Sequence, residues 1–462
     1  MAYFRFLIML KKMTLQSNVL CLLGKSLNFL NILNFYTYFY KTKGVNLYMR
    51  GILIILDGAA DLPNKQLDNK TPLESAETPN MDFLAARGEL GTMDPVRPGF
   101  IPESDEAIVS IFGNELISST RGQLEAAGTG IKLTRGDLAL RANFATINPK
   151  TKEVLDRRAG RTLTTDEAEE LALDLNRKIK LPFKYTFIPT IQHRGALIFR
   201  GGFSDNISGN DVSYYEQGKL KAGEKIKECS PLDENENSQY TANIVNEFLE
   251  QAQKILENHP INQERKRKGL MPANYLLVRG AGIEKPKLKL YKRWLSIAYM
   301  PLEIGFSSLC GMTNFGFNYP KLEELDAYSN LYEGLKEACA HSIKIIKKQY
   351  QKFDYAYIHI KETDIPGHDN KPIEKKQMIE YIDQTLFKFL RKFAPPNGIK
   401  VVVTCDHSTP CKLKSHSADP VPILFYNGSI PKEKKFCEKN AKLGGLGNIK
   451  GQDLLKQVRF LG

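Results

Sequence analysis

The sequence predicts an α/β protein built on a doubly wound, mostly parallel sheet. Short apolar segments alternate along the chain with long segments of helical periodicity, and this alternation is typical of parallel strands joined by crossover helices. The first strand is predicted at Gly51–Leu56, where the run GILIIL is apolar throughout. A strand that is apolar on both faces belongs inside such a sheet, because helices cover both of its sides.

The other elements are predicted from the same periodicities. Thr78 and Pro79 supply the N-cap and first-turn residues of a helix that ends near Gly88. Further buried strands are predicted at Arg194–Phe199, 274–278, Tyr355–Ile360, Lys400–Thr404 and Val421–Tyr426. Helices are predicted near residues 165–179, 238–256, 322–349 and 373–393. The polar segment 204–237 and the charged segment 262–269 (NQERKRKG) are predicted to be loops.

The composition is that of a folded protein with a sizeable core. Of the 462 residues, 42% are hydrophobic and 25% are charged, which excludes collagen-like, low-complexity and disordered chains. The formal charge of +13 suits nucleic acid, an anionic membrane or a small anionic substrate. The seven cysteines include no CxxC pair, so we expect a reducing, cytoplasmic location without a disulfide framework or structural zinc.

Residues 1–48 differ from the rest of the chain. They contain six basic and no acidic residues, and no stretch reaches the roughly 18 apolar residues that a membrane-spanning helix needs. We predict an N-terminal extension produced by a misassigned start, with translation beginning at Met49. The 65 basic residues then fall to 59 against 52 acidic ones, and this modest surplus favours a small anionic substrate over nucleic acid or a membrane.

Six potential metal ligands follow three of the predicted strands. Asp57 comes directly after the first strand. The others, which follow Tyr355–Ile360 and Lys400–Thr404, are Asp364, His368, Asp406, His407 and His416. Because open α/β sheets bind ligands at the carboxyl ends of their strands, we expect these side chains to meet. Each one alone has an ordinary structural explanation, but together they suit two divalent ions.

Ser104 is the predicted nucleophile. It lies where a loop turns into a predicted helix, in IPESDEAIVS, so its hydroxyl is near the positive end of that helix. Coordination to a metal lowers the pKa of such a hydroxyl; the structural alternative is an ordinary serine N-cap. Candidate cations for substrate oxygens are Arg121, Arg141, Arg157, Arg158, Arg161, Arg194, Arg279 and Lys361.

Seven segments of the chain resemble the archaeal-type cofactor-independent phosphoglycerate mutases of the alkaline phosphatase superfamily. The resemblance extends from Met49 to the C-terminus, and its most specific motifs surround Asp364 and His407. The segments are ILDGAADLPNKQLDNKTPLESAETPNMDFLAARG, STRGQLEAAGTGI, LALRANFATINP, DRRAGR, ANYLLVRGAG, HIKETDIPGHD and TCDHSTPCKLKSHSADPVPILFY.

This resemblance implies a division into domains and a set of cofactors. Residues 49–116 and 287–462 would form a metal-binding, alkaline-phosphatase-like core, and residues 117–286 would form a smaller inserted α/β domain that closes over the substrate. The cofactors would be two divalent ions, manganese foremost, with zinc, cobalt or magnesium as alternatives, and no 2,3-bisphosphoglycerate. One ion would be held by Asp364, His368 and His416, and the other by Asp57, Ser104, Asp406 and His407.

The activity implied is that of a glycolytic isomerase acting on phosphoglycerate. Phosphate would pass from 3-phosphoglycerate to Ser104, glycerate would reorient in the closed cleft, and phosphate would return to the 2-hydroxyl group. From its position three residues before Asp364, and not from the resemblance, Lys361 is predicted to act beside Ser104 in catalysis. Among the candidate cations, those predicted to bind the substrate are Arg121, Arg157, Arg158, Arg161 and Arg279. No nucleic-acid or membrane partner is expected, and the oligomeric state is not predicted.

The sequence departs from the family pattern on the substrate side. Glu103 and Glu106 flank Ser104, while Ile304 and Ser308 stand where relatives often carry Lys and Arg. Carboxylates beside the acceptor of a phosphoryl anion are unfavourable unless they point away. Two alternatives therefore stay open. One is a metal-dependent phosphatase or another phosphomutase at the same site; the other is a weakened relative that binds metal and phosphoglycerate or serves as a basic scaffold.

Overall fold

The computed structural model describes residues 49–116, 121–211, 224–322, 326–432 and 434–460. Numbered in chain order within these ranges, the strands are β1 (Gly51–Leu56), β2 (Gly88–Asp94), β3 (Leu138–Ile147), β4 (Val154–Asp156), β5 (Tyr185–Pro189), β6 (Arg194–Phe199), β7 (Tyr275–Gly282), β8 (Trp294–Ile297), β9 (Thr313–Asn314), β10 (Tyr355–Ile360), β11 (Lys400–Thr404), β12 (Val421–Tyr426) and β13 (Asn448–Lys450).

The α-helices of the same ranges are α1 (Pro72–Ser75), α2 (Pro79–Ala86), α3 (Ser104–Ile111), α4 (Arg121–Gly128), α5 (Thr165–Lys178), α6 (Glu236–Glu257), α7 (Pro260–Arg267), α8 (Pro301–Leu309), α9 (Ala327–Gln349), α10 (Asp364–His368), α11 (Pro372–Ile382), α12 (Lys388–Phe393), α13 (Glu438–Lys442) and α14 (Leu454–Gln457). None of these described helices combines the length and the apolar composition that a bilayer crossing requires. The predicted N-terminal extension, residues 1–48, lies outside the described residues.

The main sheet has eight strands in the order β13-β2-β12-β11-β1-β10-β8-β9. Among them, β12 runs antiparallel to its neighbours β11 and β2, and the other pairings are parallel. The mostly parallel α/β fold predicted from the sequence is therefore confirmed. β1 lies between β11 and β10 and is buried at every residue, as its uninterrupted apolar run predicts.

A second sheet lies within residues 138–282, and its pairings are all antiparallel. β3 pairs with β4, β6 and β7, and β6 pairs with β5. Helices α5 and α6 help to bury a separate hydrophobic core against this sheet. The predicted strands Arg194–Phe199 and 274–278 therefore belong to an antiparallel sheet and not to the parallel one. All its strands fall inside the segment 117–286, whose boundaries as an insertion stay a prediction.

The predicted helices are present, with one internal interruption. The start at Thr78 and Pro79 and the helices near 165–179, 238–256 and 322–349 correspond to α2, α5, α6 and α9. The segment 373–393 is divided into α11 and α12 by a π-helical turn at Asp383–Phe387. At this turn, Asp383 accepts hydrogen bonds from the backbone N–H groups at the start of α2, so the irregularity supplies a helix cap.

The charged segment 262–269 was wrongly predicted to be a loop, because most of it forms α7. The start signals were present in the sequence: a proline occupies the first position of the helix, and the His259 side chain caps its first turn. Arg265 is buried and donates to the Glu167 carboxylate on α5 at 2.9 Å. Arg265 of this basic run therefore stabilises the packing of α7 against α5.

Glycines allow α4 and α8 to approach each other closely. A Cβ at Gly128 would lie 1.8 Å from the carbonyl oxygen of Pro301, and a Cβ at Gly305 would lie 1.9 Å from that of Leu124. Both helices contribute side chains to the functional site, so this contact sets the spacing of those side chains.

Replacing Gly305 with Ala is expected to destabilise the fold by about 1–3 kcal/mol, because the added methyl group collides with a backbone carbonyl that has no room to move. The midpoint of urea-induced unfolding measures the change. The matched control is Gly445→Ala, because a Cβ at Gly445 would meet nothing within 4 Å. Equal stability of the two variants would contradict the proposed close contact.

Candidate metal centre and active-site cavity

The strand order brings the predicted metal ligands together. Because β11, β1 and β10 are adjacent and parallel, the residues that follow them meet at one edge of the sheet. Asp57 follows β1, Asp406 and His407 follow β11, and Asp364 opens α10 after β10. Gly58 has a φ of 56°, and a Cβ there would lie 2.5 Å from the Asp364 carboxylate. The glycine after Asp57 is therefore needed for this close approach.

The first set of ligands, here called the Asp364 group, consists of Asp364, His368 and His416. His368 Nε2 is 3.2 Å from Asp364 Oδ2, and His416 Nε2 is 3.8 Å from Asp364 Oδ1. The two Nδ1 atoms face the carbonyl oxygens of Lys414 and Pro102, at 3.1 and 2.8 Å. Since a carbonyl oxygen can only accept, each Nδ1 carries the proton and each Nε2 keeps its lone pair for a metal.

The second set, here called the Asp57 group, consists of Asp57, Asp406, His407 and Ser104. His407 Nε2 lies 3.3 Å from Asp57 Oδ1 and 3.5 Å from Asp406 Oδ2. The same nitrogen is 3.3 Å from Ser104 Oγ. Thr409 donates its hydroxyl hydrogen to Asp364 at 2.7 Å, so it accepts from His407 Nδ1, which is 3.0 Å away. In the neutral form of His407, Nδ1 therefore carries the proton and Nε2 has the free lone pair.

The buried charges of the Asp57 group fit a cation between them. Burial and the neighbouring Asp57 raise the pKa of Asp406. Burial opposes the charged forms of Asp57 and His407, but Lys361 holds the pKa of Asp57 well below its usual value and Asp406 raises that of His407 to about 9. Asp57 Oδ1 and Asp406 Oδ2 are buried without a hydrogen-bond partner. Carboxylate oxygens and imidazole nitrogens that converge in this way suit divalent metal ions.

His359 lies against the Asp57 group and was missed by the sequence analysis. It stands on β10, it is fully buried, and its Nε2 is 3.5 Å from Asp57 Oδ2. A histidine inside a strand shows none of the ligand spacings that indicate a metal site. The only indication in the sequence was a histidine within an otherwise apolar segment.

Lys361 connects Asp57 to α8. Its ammonium group contacts the Asp57 carboxylate and lies 2.8 Å from Glu303 Oε1. Burial works against this charge, but the two carboxylates outweigh burial and raise the pKa of Lys361. Glu303 is a second site residue that was not predicted from the sequence. On the same helix, only Ile304 and Ser308 had been singled out, because they differ from the family pattern. Glu303 faces the cavity described next, whereas Ile304 and Ser308 do not line it.

A cavity of about 450 Å³ opens beside both metal groups. The predicted site residues on its wall are Asp57, Ser104, Arg121, Arg157, Arg158, Arg161, Arg279, Lys361, Asp364, His368 and His416. Arg141 and Arg194 also line it, whereas Asp406 and His407 are buried behind the wall. The cavity therefore joins side chains of the main sheet to arginines of the second sheet.

Most arginines of the cavity are already paired with carboxylates. The pairs are Arg121–Asp105, Arg141–Glu125, Arg157–Asp211, Arg161–Asp369 and Arg279–Glu103. Within the described part of the chain, Arg158 and Arg194 make no ion pair. Burial, together with the neighbouring Arg161 and Arg157, lowers the pKa of Arg158 to about 10. An anion bound in the cavity would relieve this repulsion.

The carboxylates that flank Ser104 have partners of their own. Glu103 faces Arg121 and Arg279, at 3.5 and 3.7 Å, and these arginines, led by Arg279, lower its pKa although burial opposes them. Glu106 accepts a hydrogen bond from the backbone N–H of Glu103 at 2.9 Å, and burial raises its pKa to about 7. The arrangement limits repulsion at Ser104, but it also neutralises part of the charge of Arg121 and Arg279.

Comparisons with proteins of known sequence identify the family of this chain. The family model for 2,3-bisphosphoglycerate-independent phosphoglycerate mutase matches residues 85–262. A 2,3-bisphosphoglycerate-independent phosphoglycerate mutase of Thermococcus kodakarensis is 37% identical over 412 residues, which cover 88% of this chain and 95% of the relative. The 2,3-bisphosphoglycerate-independent phosphoglycerate mutase 1 of Archaeoglobus fulgidus is 38% identical over 421 residues, which cover 87% of this chain and 96% of the relative.

Solved structures share the fold. A protein of Pyrococcus horikoshii superposes with a TM-score of 0.68 at 29% identity, over 90% of this chain and 98% of the other. The cofactor-independent phosphoglycerate mutase of Thermoplasma acidophilum superposes with a TM-score of 0.52 at 28% identity, over 89% of this chain and 99% of the other. The resemblance predicted from the sequence motifs is thereby confirmed. This chain belongs to the family of 2,3-bisphosphoglycerate-independent phosphoglycerate mutases.

Proposed function

We propose that this chain interconverts 3-phosphoglycerate and 2-phosphoglycerate with two divalent ions and without 2,3-bisphosphoglycerate. The observation that carries the proposal is the position of Ser104, whose Oγ lies 3.3 Å from His407 Nε2 on the wall of an arginine-lined cavity. A hydroxyl between a metal group and a cationic cavity suits the acceptor of a phosphoryl group. Membership of the family supports the same reaction.

The Asp364 group and the Asp57 group would hold one ion each. When bound, the ions supply positive charge that lowers the pKa of the Ser104 hydroxyl and stabilises anionic phosphoryl oxygens. We propose manganese as the native metal, with zinc, cobalt or magnesium as alternatives. Carboxylate and imidazole ligands are compatible with each of these.

Ser104 exchanges the phosphoryl group with the substrate. The Ser104 hydroxyl loses its proton as its oxygen attacks the phosphorus atom of 3-phosphoglycerate, the bond to the C3 oxygen breaks, and that oxygen takes up a proton. Glycerate then turns in the cavity, its C2 hydroxyl loses a proton as it attacks the phosphoserine, and the Ser104 oxygen leaves and takes up a proton again. Lys361, fixed between Asp57 and Glu303, contributes a permanent positive charge beside these steps.

The cavity arginines would bind the substrate carboxylate and phosphate. Arg157 and Arg161 are held in place by Asp211 and Asp369, and Arg158 lies between them in sequence. A guanidinium fork matches a carboxylate or a phosphate in a bidentate manner. Because freed glycerate must neither escape nor meet water, the cavity has to close during the reaction and open for release. We assign this movement to the segment 117–286.

A small anionic substrate is the partner proposed for this chain, with no nucleic acid and no membrane. Arg265 of the basic run is buried against α5, which removes one cation from any exposed basic surface. The cytoplasmic location stays a prediction from the cysteine pattern.

Replacing Arg158 with Met is expected to raise the KM for phosphoglycerate by roughly 10- to 100-fold with a smaller effect on kcat, because a charge-assisted hydrogen bond contributes about 1.5–3 kcal/mol. Steady-state kinetics in the 3-phosphoglycerate direction measure the change. Arg177→Met is the control, since Arg177 is exposed and pairs with Asp174 on the surface of α5. An unchanged KM in the Arg158 variant would exclude Arg158 from substrate binding.

The test of the proposed function follows the phosphorus atom by ³¹P NMR. The chain is loaded with Mn²⁺, the paramagnetic ion is removed after quenching, and no 2,3-bisphosphoglycerate is added. We expect 2-phosphoglycerate to form while the total of the two phosphomonoesters stays constant. Release of inorganic phosphate alone would support a phosphatase, and metal binding without turnover would support a binding relative; either result would contradict the proposal.

A further inference from the structure

His359 occupies an unusual position for a core histidine. Its side chain is fully buried, and its Nε2 faces two carboxylates, Asp57 Oδ2 at 3.5 Å and Asp406 Oδ2 at 3.7 Å. Neither contact is a hydrogen bond, and Nε2 has no other partner among the described residues. A buried polar nitrogen without a partner is destabilising, so this position is suited to a bound ligand.

The orientation of the ring is set by Tyr357, two residues earlier on β10. The Tyr357 hydroxyl lies 2.7 Å from His359 Nδ1. A histidine that binds a metal through Nε2 commonly donates Nδ1–H to an oxygen, which fixes its tautomer and its orientation. His407 has the same arrangement with Thr409, and His368 and His416 have it with backbone carbonyl oxygens.

The distances around Nε2 fit a shared metal ion better than a proton. A charge-assisted N–H···O bond is typically about 2.7–2.9 Å long, shorter than either contact of His359. Ligand atoms that are each about 2.0–2.2 Å from one metal, at angles of 90–110°, are separated by roughly 2.8–3.6 Å. The contact with Asp57 falls in this range and the contact with Asp406 lies just beyond it. His407 Nε2 makes contacts of 3.3 and 3.5 Å with the same two carboxylates.

We propose that His359 is a further ligand of the divalent ion held by Asp57, Asp406 and His407. The inference rests on the metal centre of the proposed function, but it requires neither phosphoglycerate nor turnover. His359 on β10 and His407 after β11 would then approach the carboxylate pair from opposite sides of β1, and the ion would join the carboxyl ends of three neighbouring strands. The Lys361 ammonium, which contacts Asp57, would remain next to this ion as a fixed cation.

The test counts the histidine ligands in the full-length chain loaded with Co²⁺. Each histidine that binds Co²⁺ through Nε2 gives one paramagnetically shifted Nδ1–H proton signal, which disappears in D₂O. We expect four such signals, from His359, His368, His407 and His416, and two cobalt ions per chain by elemental analysis. The variant His359→Gln should lose one signal and bind one of its two ions at least about 10-fold more weakly, as measured by calorimetric titration.

Two further variants make the assignment specific. His341→Gln is the matched control, because His341 contacts the carbonyl oxygen of Phe315 at 3.0 Å and belongs to neither metal group; it should keep four signals. Tyr357→Phe keeps the imidazole but removes its oxygen partner, so one signal should shift and exchange faster with water. This variant decides the question if His359→Gln does not fold.

Three results would overturn the inference: three signals in the unsubstituted chain, an unchanged cobalt spectrum in both β10 variants, or a third cobalt ion that is lost with His359. The mutase assay is scored separately on the same preparation. Four signals without turnover would contradict the proposed function alone, and turnover with three signals would contradict this inference alone.

Discussion

Replacing Ser104 with Ala is expected to lower phosphoglycerate turnover by at least about 10⁴-fold, because loss of a nucleophile removes the covalent route altogether. Ser104 begins α3, and its Oγ lies 3.3 Å from Nε2 of His407, a predicted metal ligand. Enzyme-coupled detection of 2-phosphoglycerate measures the loss. Substrate affinity, measured by calorimetry with 3-phosphoglycerate, should change much less, since the arginines are intact.

Ser110→Ala is the matched control for this experiment. Ser110 lies on the same helix, is buried, and has a hydroxyl without a hydrogen-bond partner. Its removal leaves the metal groups untouched, so turnover should stay within a few-fold of the original. Turnover retained by Ser104→Ala would mean that the phosphoryl group does not pass through Ser104.

Replacing Asp364 with Asn is expected to abolish turnover and to reduce binding of both metal ions. Asp364 is the residue that the two sets of ligand atoms share: it lies with His368 and His416 on one side and with Asp57 and His407 on the other. An amide removes the negative charge on which both ions depend. We expect at least about a 100-fold loss of metal affinity, measured by calorimetric titration with Mn²⁺, and a comparable or larger loss of kcat.

The control for Asp364→Asn is Asp354→Asn. Asp354 directly precedes β10, at the opposite end of the same strand, and pairs with Arg50 and Arg293. Its neutralisation should leave both metal affinity and turnover unchanged. Full metal occupancy in Asp364→Asn would contradict the placement of Asp364 between two ions.

The convergence of the predicted metal ligands could be predicted from the sequence because it depends on the strands alone. Once β1, β10 and β11 are recognised as buried parallel strands, Asp57, Asp364 and Asp406 must fall at one edge of the sheet. Their individual contacts depend on details that no pattern contains. The left-handed Gly58 and the bridging Thr409 hydroxyl bring the two groups into contact, and neither has a sequence signature.

The second sheet could not be assigned from strand patterns in the same way. β3 carries Arg141 and Asn143 within an apolar run, and these polar residues, which face the cavity, obscured a strand that is buried throughout. β6 and β7 were recognised as strands, but a buried antiparallel strand and a buried parallel strand have the same apolar pattern.

The pairing of the arginines was equally inaccessible from the sequence. The arginine content predicts a cationic site. Which arginines are left without an ion pair depends on Asp105, Asp211 and Asp369, which lie in other segments of the chain. The carboxylate of Glu103 illustrates the difference. Beside Ser104 in sequence it predicts repulsion, whereas in the structure Arg121 and Arg279 hold it.

The most direct test of the central claim is a stepwise reloading of the metal-free chain with Mn²⁺, with metal content and mutase activity measured on the same samples in the absence of 2,3-bisphosphoglycerate. Two ions per chain are predicted, with activity that is absent at the start and reaches its plateau when the second ion is bound. Undiminished formation of 2-phosphoglycerate from 3-phosphoglycerate by the metal-free chain, or a plateau at one ion per chain, would contradict a two-metal mutase.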